Sequence, residues 1–471
     1  MSATTAARPE FGLERLRQRF TGEVITPRDH RYGAARRLWN AIPDRRPTVI
    51  VQPRDADDVA AAVLHAREWG LELAVRGGGH SIAGHSMSDD GMTVDLSAMN
   101  SVDVDPVARR ATVGGGALLA DLAGATSPHQ LVIPFGHISH TGVGGYTLGG
   151  GIGWIMRKYG LACDNVRSLE LVTAEGRLVR ASEDENPDLF WALRGGSGNF
   201  GVVTRFEFDL QPFPAQVLAG LLVYPLERAG EVVRFTRDFM DQAPDELVIF
   251  ETFMTAPPEE PFPAELWGRP ALSLAIAYAG DLEEGERVLR PLREHVRPAL
   301  DLLAPMSHPA LQGMLDPTAP HGMRNYNKAH YLAELPGEAI DTQAELHADV
   351  PSPMSLIINA RMGGAIDRVV PDSTAFGHRN THRLVWVVSS WWEGDDAEQI
   401  EWCRAVFDAM TPHSTGGVYV NALDAEGPER IRAAYRDSAW QRLVEIKDRW
   451  DPGNVFRQNY NIPPSGERPS A

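Results

Sequence analysis

Three short stretches of this 471-residue chain put backbone amides forward as the working groups. They are Arg76-Gly77-Gly78-Gly79-His80-Ser81, the glycine-rich residues 142–153, and residues 195–201. Glycine runs let successive N–H groups approach a ligand closely and form an anion-binding concavity. Three in one region suit a large ligand with a charged linker, such as a dinucleotide; three structural turns are the alternative. His80 closes the first run, where an imidazole can donate a hydrogen bond, ligate a metal or carry a covalent attachment. A metal reading would use His80 with His85 and His137 with His140. Gly136, Ser139 and Gly142 oppose the helical turn that His137-x-x-His140 would need, and only Asp89 and Asp90 stand nearby as carboxylates, so no metal is expected. No Gly-x-Ser-x-Gly elbow supports a hydrolase.

The elements around these runs follow from apolar spacing. Residues up to about Arg46 read as a helical lead-in carrying Leu13, Leu16, Phe20, Ala35, Leu38 and Trp39. Residues 47–75 read as strand–helix–strand, with Val59, Val63, Ala66 and Trp69 on the helix face and Gly70 as its stop. The first glycine run follows that second strand at once. Further strands are expected at 93–96 and 202–210, hairpins at 101–113 and 169–180, and helices at 118–125 and 188–193. Gly196-Ser197-Gly198-Asn199-Phe200-Gly201 fits G-x-G-x-x-G, but a helix precedes it and a strand follows. That order is the inverse of a Rossmann unit. Beyond Pro212 and Pro214 glycine thins out, and apolar strands recur at 221–224, 273–278, 355–360 and 384–389. A helix at 439–450 and an Asp451-Pro452-Gly453-Asn454 turn close the chain. The expected organisation is α+β, with segments 1–213, 214–414 and 415–471.

Lys plus Arg is 45 and Asp plus Glu is 63, so the net charge is 45 − 63 = −18. That balance disfavours a nucleic-acid backbone or an anionic membrane as partner. Two cysteines, Cys163 and Cys403, cannot build a disulfide framework. Residues 122–156 carry no Asp, Glu, Lys or Arg, but nine glycines and two prolines argue against a lipid-facing helix. The charged start, with Arg8, Glu10, Glu14, Arg15, Arg17 and Arg19, is not a signal peptide, and a cytoplasmic location is the expectation.

Several ordered motifs resemble the berberine-bridge-enzyme-like flavoprotein oxidases, of the vanillyl-alcohol-oxidase (PCMH-type) fold group. They begin with Val75-Arg76-Gly77-Gly78-Gly79-His80-Ser81 and Gly142-Val143-Gly144-Gly145-Tyr146-Thr147-Leu148-Gly149-Gly150-Gly151. Lys158-Tyr159-Gly160-Leu161-Ala162-Cys163-Asp164-Asn165 and Asn186-Pro187-Asp188-Leu189-Phe190-Trp191 follow. Gly198-Asn199-Phe200-Gly201-Val202-Val203, Asp451-Pro452-Gly453-Asn454-Val455-Phe456 and Asn459-Tyr460-Asn461-Ile462-Pro463 complete the set. The resemblance covers nearly the whole chain after about Phe20. It implies an FAD-binding domain made from both chain ends, 1–213 and 415–471. A central substrate domain, 214–414, would contribute an antiparallel sheet backed by helices.

The resemblance further implies roles. His80 matches the histidine bonded to the flavin 8α-methyl. Ile138 stands where many members carry a cysteine that makes a second flavin bond, so a single covalent link is expected, as in the monocovalent bacterial branch. The remaining cradle would comprise Arg76, Gly77, Gly78, Gly79, Ser81, Gly84, His85 and Ser86 from the first run. Gly142, Gly144, Gly145, Tyr146, Gly149, Gly150, Asp164 and Asn165 come from the second, and Gly198, Asn199, Gly201, Val203, Asn421 and Asn459 from the rest. Thr141 matches the position controlling oxygen access. Tyr435 matches a tyrosine credited as general base, with Tyr460 a second candidate. Ile82 and Ile152 replace tyrosines of plant members, and on the strand at 355–362 Ile358 and Ala360 should face inward, making an apolar pocket. The implied activity moves hydride from a C–H bond of an alcohol, sugar or secondary metabolite to flavin N5 and then to O2, giving H2O2. A flavin dehydrogenase and a catalytically idle flavin-binding protein stand as alternatives. Related enzymes are often dimers.

Overall fold

The computed structural model describes residues 11–466, so Arg8 and Glu10 of the charged lead-in lie outside the described residues. The strand–helix–strand unit is present as Val49–Gln52, Ala56–Trp69 and Leu73–Arg76. Asp55 caps the helix by accepting the Asp58 amide at 2.9 Å, and such a cap contributes about 1 kcal/mol. Gly70 ends it in the left-handed region at φ 63°, where a Cβ would be strained. Met92–Asp95 lies parallel between the two strands, and Glu23–Ile25 adds an antiparallel edge. The lead-in helix Leu13–Arg17 packs Leu13 and Leu16, with Phe20, onto this layer. Leu38 and Trp39 are buried but lie beyond the short helix Tyr32–Ala35, not on a helix as expected.

A second, antiparallel sheet runs Val102–Asp105, Arg110–Gly114, Val202–Asp209, Val166–Val172, Leu178–Ser182. Both expected hairpins are there, and Pro187–Leu193 precedes Val202–Asp209, the inverse of a dinucleotide βαβ unit. The sequence did not foresee that Val143–Leu148, inside the glycine-rich run, is a helix. Gly144 and Gly145 are poor helix formers. Burial of Val143, Tyr146, Thr147 and Leu148 overrides that propensity.

The third sheet has eight strands and is antiparallel throughout: seven run in order from Leu300–Asp301 through Val217–Pro225, Pro270–Tyr278, Leu247–Thr255, Leu356–Arg361 and Arg383–Trp391 to Arg324–Leu332, and Ala304–Met306 also pairs with Val217–Pro225. Leu247–Thr255 and Arg324–Leu332 had no clear sequence signal. Helices Ala229–Met240, Leu282–His295, Gly337–Ala348 and Asp396–Met410 cover one face, where Ile276, Ile357, Val385 and Val387 pack against Val232, Leu289, Ile340 and Val406. The alternate residues Val248, Phe250, Ala275, Ala277 and Ala360, with Ile358 and Trp386, turn to the other two sheets. Strand parity at 358–361 is as expected: Asn359 pairs with Gln343 on the helix side at 2.8 and 3.1 Å.

Buried polar struts join this sheet to the glycine-rich layers. Arg157 donates to the carbonyls of Leu247 (2.7 Å), Ala243 and Pro244, and Lys158 to Ala279 (2.6 Å). Arg379 forks onto Asp164 at 2.6 and 3.0 Å with both side chains buried. Among the described residues no helix is long and apolar enough to cross a membrane.

Candidate functional site

The glycine runs meet backbone to backbone. A Cβ on Gly78 would stand 2.3 Å from the Gly142 nitrogen, and one on Gly142 would stand 2.2 Å from the Gly78 nitrogen. Only glycine at both positions allows the first two runs to touch. The third run is tied to the second by the amides of Gly195 and Ser197, which both donate to the Leu148 carbonyl at 2.9 and 3.0 Å. Residues 114–116 form a fourth run that the sequence reading passed over, although Gly-Gly-Gly was visible there. The Gly115 carbonyl lies beneath both Gly77 and Gly144, 3.3 and 3.1 Å from where their Cβ atoms would be. A Cβ on Gly145 or Gly198, in contrast, would meet nothing within 4 Å, so these glycines look onto open space.

His80 stands at the rim of this cradle. Its ring stacks on Trp39 at 4.9 Å, and its Nε2 lies 2.6 Å from Nδ1 of His140. His321 brings a third imidazole 4.6 Å from His140. Burial first, then the two neighbouring imidazoles, push the His80 pKa well down and hold the ring neutral. The three rings put ligand nitrogens within 4.8 Å of one another. The 2.6 Å contact is a hydrogen bond, however, and is shorter than the ~3.3 Å between two nitrogens on one tetrahedral ion with bonds of about 2.05 Å. The pairings considered from sequence do not form. His137 packs on Trp154 and Phe250, and His85 packs edge-on to Tyr460 at 5.0 Å. Trp39, Ile82 and Ala319, with Ile138 and Trp386 against them, make a small apolar cluster joining the His80 loop to the third sheet.

The chain's end closes the far side. Lys447, fully buried on helix Asp437–Trp450, donates to the Asn199 carbonyl (2.8 Å), the Asp451 carboxylate (2.7 Å) and the Phe456 carbonyl (3.1 Å). Asn199 binds the Gly196 and Tyr460 carbonyls and accepts the Ile462 amide. Asn459 donates to the Gly198 carbonyl at 3.1 Å. Tyr460 donates its hydroxyl proton to the Leu423 carbonyl. Burial pushes the Tyr435 pKa up, and Ser197 is the polar neighbour among the described residues that works against that push.

Other expected cradle residues have protein partners. Asp164 is held by Arg379 and the Leu161 amide; Asn165 binds the Tyr159 and Leu161 carbonyls. Tyr146 turns its hydroxyl to the Ile152 carbonyl, 3.2 Å away, and Asn421 donates to the Tyr146 carbonyl. A Cβ on Gly149 would strike Asn421, one on Gly150 would strike Phe376, and one on Gly201 would strike Leu171. Arg76 reaches the Ala35 carbonyl, Ser81 accepts the His85 amide, and Gly84 sits against Pro43, with half-buried Ser86 following. The Val203 carbonyl abuts Gly115, and the Thr141 carbonyl accepts the Leu119 amide. Trp39, His140 and His321 were not singled out as a group, since positions so far apart in sequence leave no spacing to read.

Around the cradle, Arg76 Nε, His85 Nδ1, Thr147 Oγ1, Asn459 Oδ1 and Asn461 Oδ1 are buried without a partner among the described residues. Leaving such an atom unsatisfied costs about 1–3 kcal/mol, so their gathering beside open-faced glycines fits a large polar ligand of FAD's kind. A flavin-binding oxidoreductase is the class that this fold and cradle define. Residues 47–182 match the family described as FAD binding domain, and residues 418–463 the family described as berberine and berberine like. The chain is 30% identical to (R)-6-hydroxynicotine oxidase of Paenarthrobacter nicotinovorans, over 94% of this chain and 97% of that one. It is 29% identical to xylooligosaccharide oxidase of Thermothelomyces thermophilus, over 89% and 88%. The crystal structure of 6-hydroxy-D-nicotine oxidase from Arthrobacter nicotinovorans superposes with a TM-score of 0.84 at 28% identity, covering 94% of this chain and 98% of that one. The chain belongs to the berberine-bridge-enzyme-like FAD-linked oxidoreductases.

Proposed function

We propose that this protein is an oxidase carrying FAD bonded through His80 alone, with residues 1–213 and 415–471 as the flavin-binding domain and 214–414 as the substrate domain. FAD, when bound there, would supply a two-electron acceptor for the hydride of a substrate C–H bond, with O2 as the final acceptor giving H2O2. The observation that carries the reading is His80: a neutral imidazole at the cradle's rim, clamped by Trp39 and His140, with Nδ1 making no hydrogen bond among the described residues. A neutral ring keeps the lone pair that a bond to carbon requires.

Ile82, Ile138 and Trp386 keep water from the rim, and with Phe250 and Ala360 they favour a substrate with an apolar face. Tyr435 is the residue that takes the substrate's O–H or N–H proton. Burial raises its pKa, so the role requires the bound substrate or flavin to stabilise the phenolate, as Ser197 does in part; Tyr460 spends its proton on a backbone carbonyl and acts by positioning. Thr141, small and half-buried between the first two runs, lets O2 reach the site. The substrate is an alcohol, sugar or secondary metabolite, a range supported by relatives named for 6-hydroxynicotine and for xylooligosaccharide. The test is acid precipitation of the purified protein. The pellet stays yellow in wild type and turns colourless in His80→Ala; flavin released from wild type would overturn the covalent link.

A further inference from the structure

Alternate residues of three adjacent strands in the third sheet form an apolar stripe that the helices do not cover. On Leu247–Thr255, Leu356–Arg361 and Arg383–Trp391, the side chains of Phe253, Ile357, Val385 and Val387 are buried under the helices. Their neighbours Thr252, Met254, Leu356, Ile358, Trp386 and Val388 take the opposite face, and all six are only half-buried. The strand register sets them in rows. Thr252, Ile358 and Trp386 stand side by side in one row and Leu356 and Val388 in the next, with Met254 two residues beyond Thr252 on its own strand. Ile358 and Trp386 reach the glycine-rich layers, whereas Met254, Leu356 and Val388 pack into no apolar core among the described residues.

The stripe starts at the cradle. Trp386 packs against the cluster of Trp39, Ile82 and Ala319, and Trp39 is the ring stacked on His80. Leu356 and Val388 lie one row, or about 7 Å, farther along the strands. None of the six side chains is charged, and only Thr252 and Trp386 carry a hydrogen-bonding atom. Trp386 Nε1 is buried with no partner among the described residues. Apolar surface left in water and a buried N–H left unpaired are both unfavourable. A ligand that covers the stripe and accepts from Trp386 relieves both. An oligosaccharide does not fit these groups, because each hydroxyl pressed against the stripe would lose its water and find no partner.

We propose that the substrate of this site is an uncharged molecule with an extended apolar body, an alkyl chain or alkyl-substituted ring, which lies along the stripe with an oxygen accepting from Trp386 Nε1, and that oligosaccharides are excluded. This deepens the oxidase reading and rests on it. Trp386 anchors the oxygen-bearing end beside the cradle, and Ile358, Leu356 and Val388 take the apolar body away from it. The continuity of the stripe with the His80 rim is what assigns it to substrate.

The experiment is calorimetric titration of the purified full-length protein with para-methyl-, para-ethyl-, para-propyl- and para-butylacetophenone, ketones that offer an acceptor oxygen and have no carbinol C–H to oxidise. Xylobiose and para-ethyltoluene are the comparisons. Affinity should rise two- to fourfold with each added methylene, about fourfold corresponding to full burial. Xylobiose should bind about tenfold more weakly than the propyl ketone, or not at all. Trp386→Phe keeps most of the apolar surface and removes the N–H, so it should weaken the ketones about fivefold and leave para-ethyltoluene unchanged. Leu356→Ser alters a side chain that lies outside every core, and it should flatten the rise with chain length. A wild-type affinity that is flat across the series, xylobiose bound as tightly as the butyl ketone, or ketones bound equally by wild type and Trp386→Phe would each overturn the inference. So would a wild-type dimer in sedimentation that Leu356→Ser dissolves while keeping the rise, since the stripe would then be a contact between copies. Protein that neither carries flavin nor takes up added FAD would overturn the oxidase reading instead, and the ketone series would still decide what chemistry the stripe binds.

Discussion

The tightest polar constraint beneath the cradle is the Lys447–Asp451 pair, and replacing Lys447 tests whether the chain's end holds the third glycine run. Both side chains have no solvent exposure, and they stand 2.7 Å apart one helical turn from each other. Lys447→Met strands a buried carboxylate, a loss of about 3–5 kcal/mol. The Val455 and Phe456 amides still donate to Asp451, at 2.8 and 2.9 Å, and this places the loss near the lower end, about 3 kcal/mol. Removing both charges in Lys447→Met/Asp451→Leu does not restore stability. Those two amides then lose their acceptor at about 1–3 kcal/mol each. The measurement is urea unfolding followed by the fluorescence of the chain's 11 tryptophans, with and without bound FAD. Because Lys447 also donates to the Asn199 carbonyl, FAD retention should weaken in the same variant. Arg234→Met, which breaks an ion pair whose side chains are 37% and 55% exposed, serves as the surface comparison. A loss in Lys447→Met no larger than in that control, or a double variant as stable as wild type, would refute the reasoning.

Two further perturbations read the cradle and the buried imidazoles. Gly145→Ala places a methyl group where nothing stands within 4 Å, in a helix where alanine gains about 1 kcal/mol over glycine, so the flavin-free chain should become more stable while FAD loading falls; Gly142→Ala, with backbone 2.2 Å away, should lower both, and unimpaired FAD loading by Gly145→Ala would dismiss that glycine as part of the cradle. His308, wedged between Phe135 and Phe213, has its pKa pushed down to about 3 by burial alone. Between that value and 6.5 the unfolded chain binds the extra proton, so stability is full above pH 6.5 and is lost as pH falls. At pH 5 this is about 1.5 pH units, or about 2 kcal/mol, which His308→Leu should not lose; equal pH 7-to-5 losses by chemical denaturation of the two proteins would count against it.

What was legible in the sequence is what lies close together along it. The glycine runs, the inverted order around residues 187–209 and the inward parity of Ile358 and Ala360 are all local patterns, and the structure contains them. What the sequence could not show is which runs touch. Contact between Gly78 and Gly142 depends on how two loops cross, and nothing in either run encodes the other. The strand Leu247–Thr255 was obscured because it carries the buried Glu251, whose pKa is raised to about 7 by desolvation. Its partner Arg383, at 3.8 Å, sits on a strand over a hundred residues later in the chain, so the reason for tolerating a buried charge was out of view. The helix Val143–Leu148 shows the reverse error, in which glycine content argued locally against a helix that packing supplies.

The surroundings of His80 are the strongest case of such non-local assembly, and they bear on when the site can work. Trp39 comes from the lead-in, His80 and His140 from the first two glycine loops, and Asp316, Ala319 and His321 from a segment that follows most of the third sheet. Ala319 joins them, because its carbonyl receives Trp39 and faces His140. Those surroundings exist only once the central segment has docked through Arg157, Lys158 and Arg379. A fault in that docking, far from the cradle, would leave FAD able to bind between the glycine runs yet leave His80 without the partner that orients it. Arg379→Met should then take up FAD much as wild type does yet keep less of it through acid precipitation, whereas Gly142→Ala should take up less FAD from the outset.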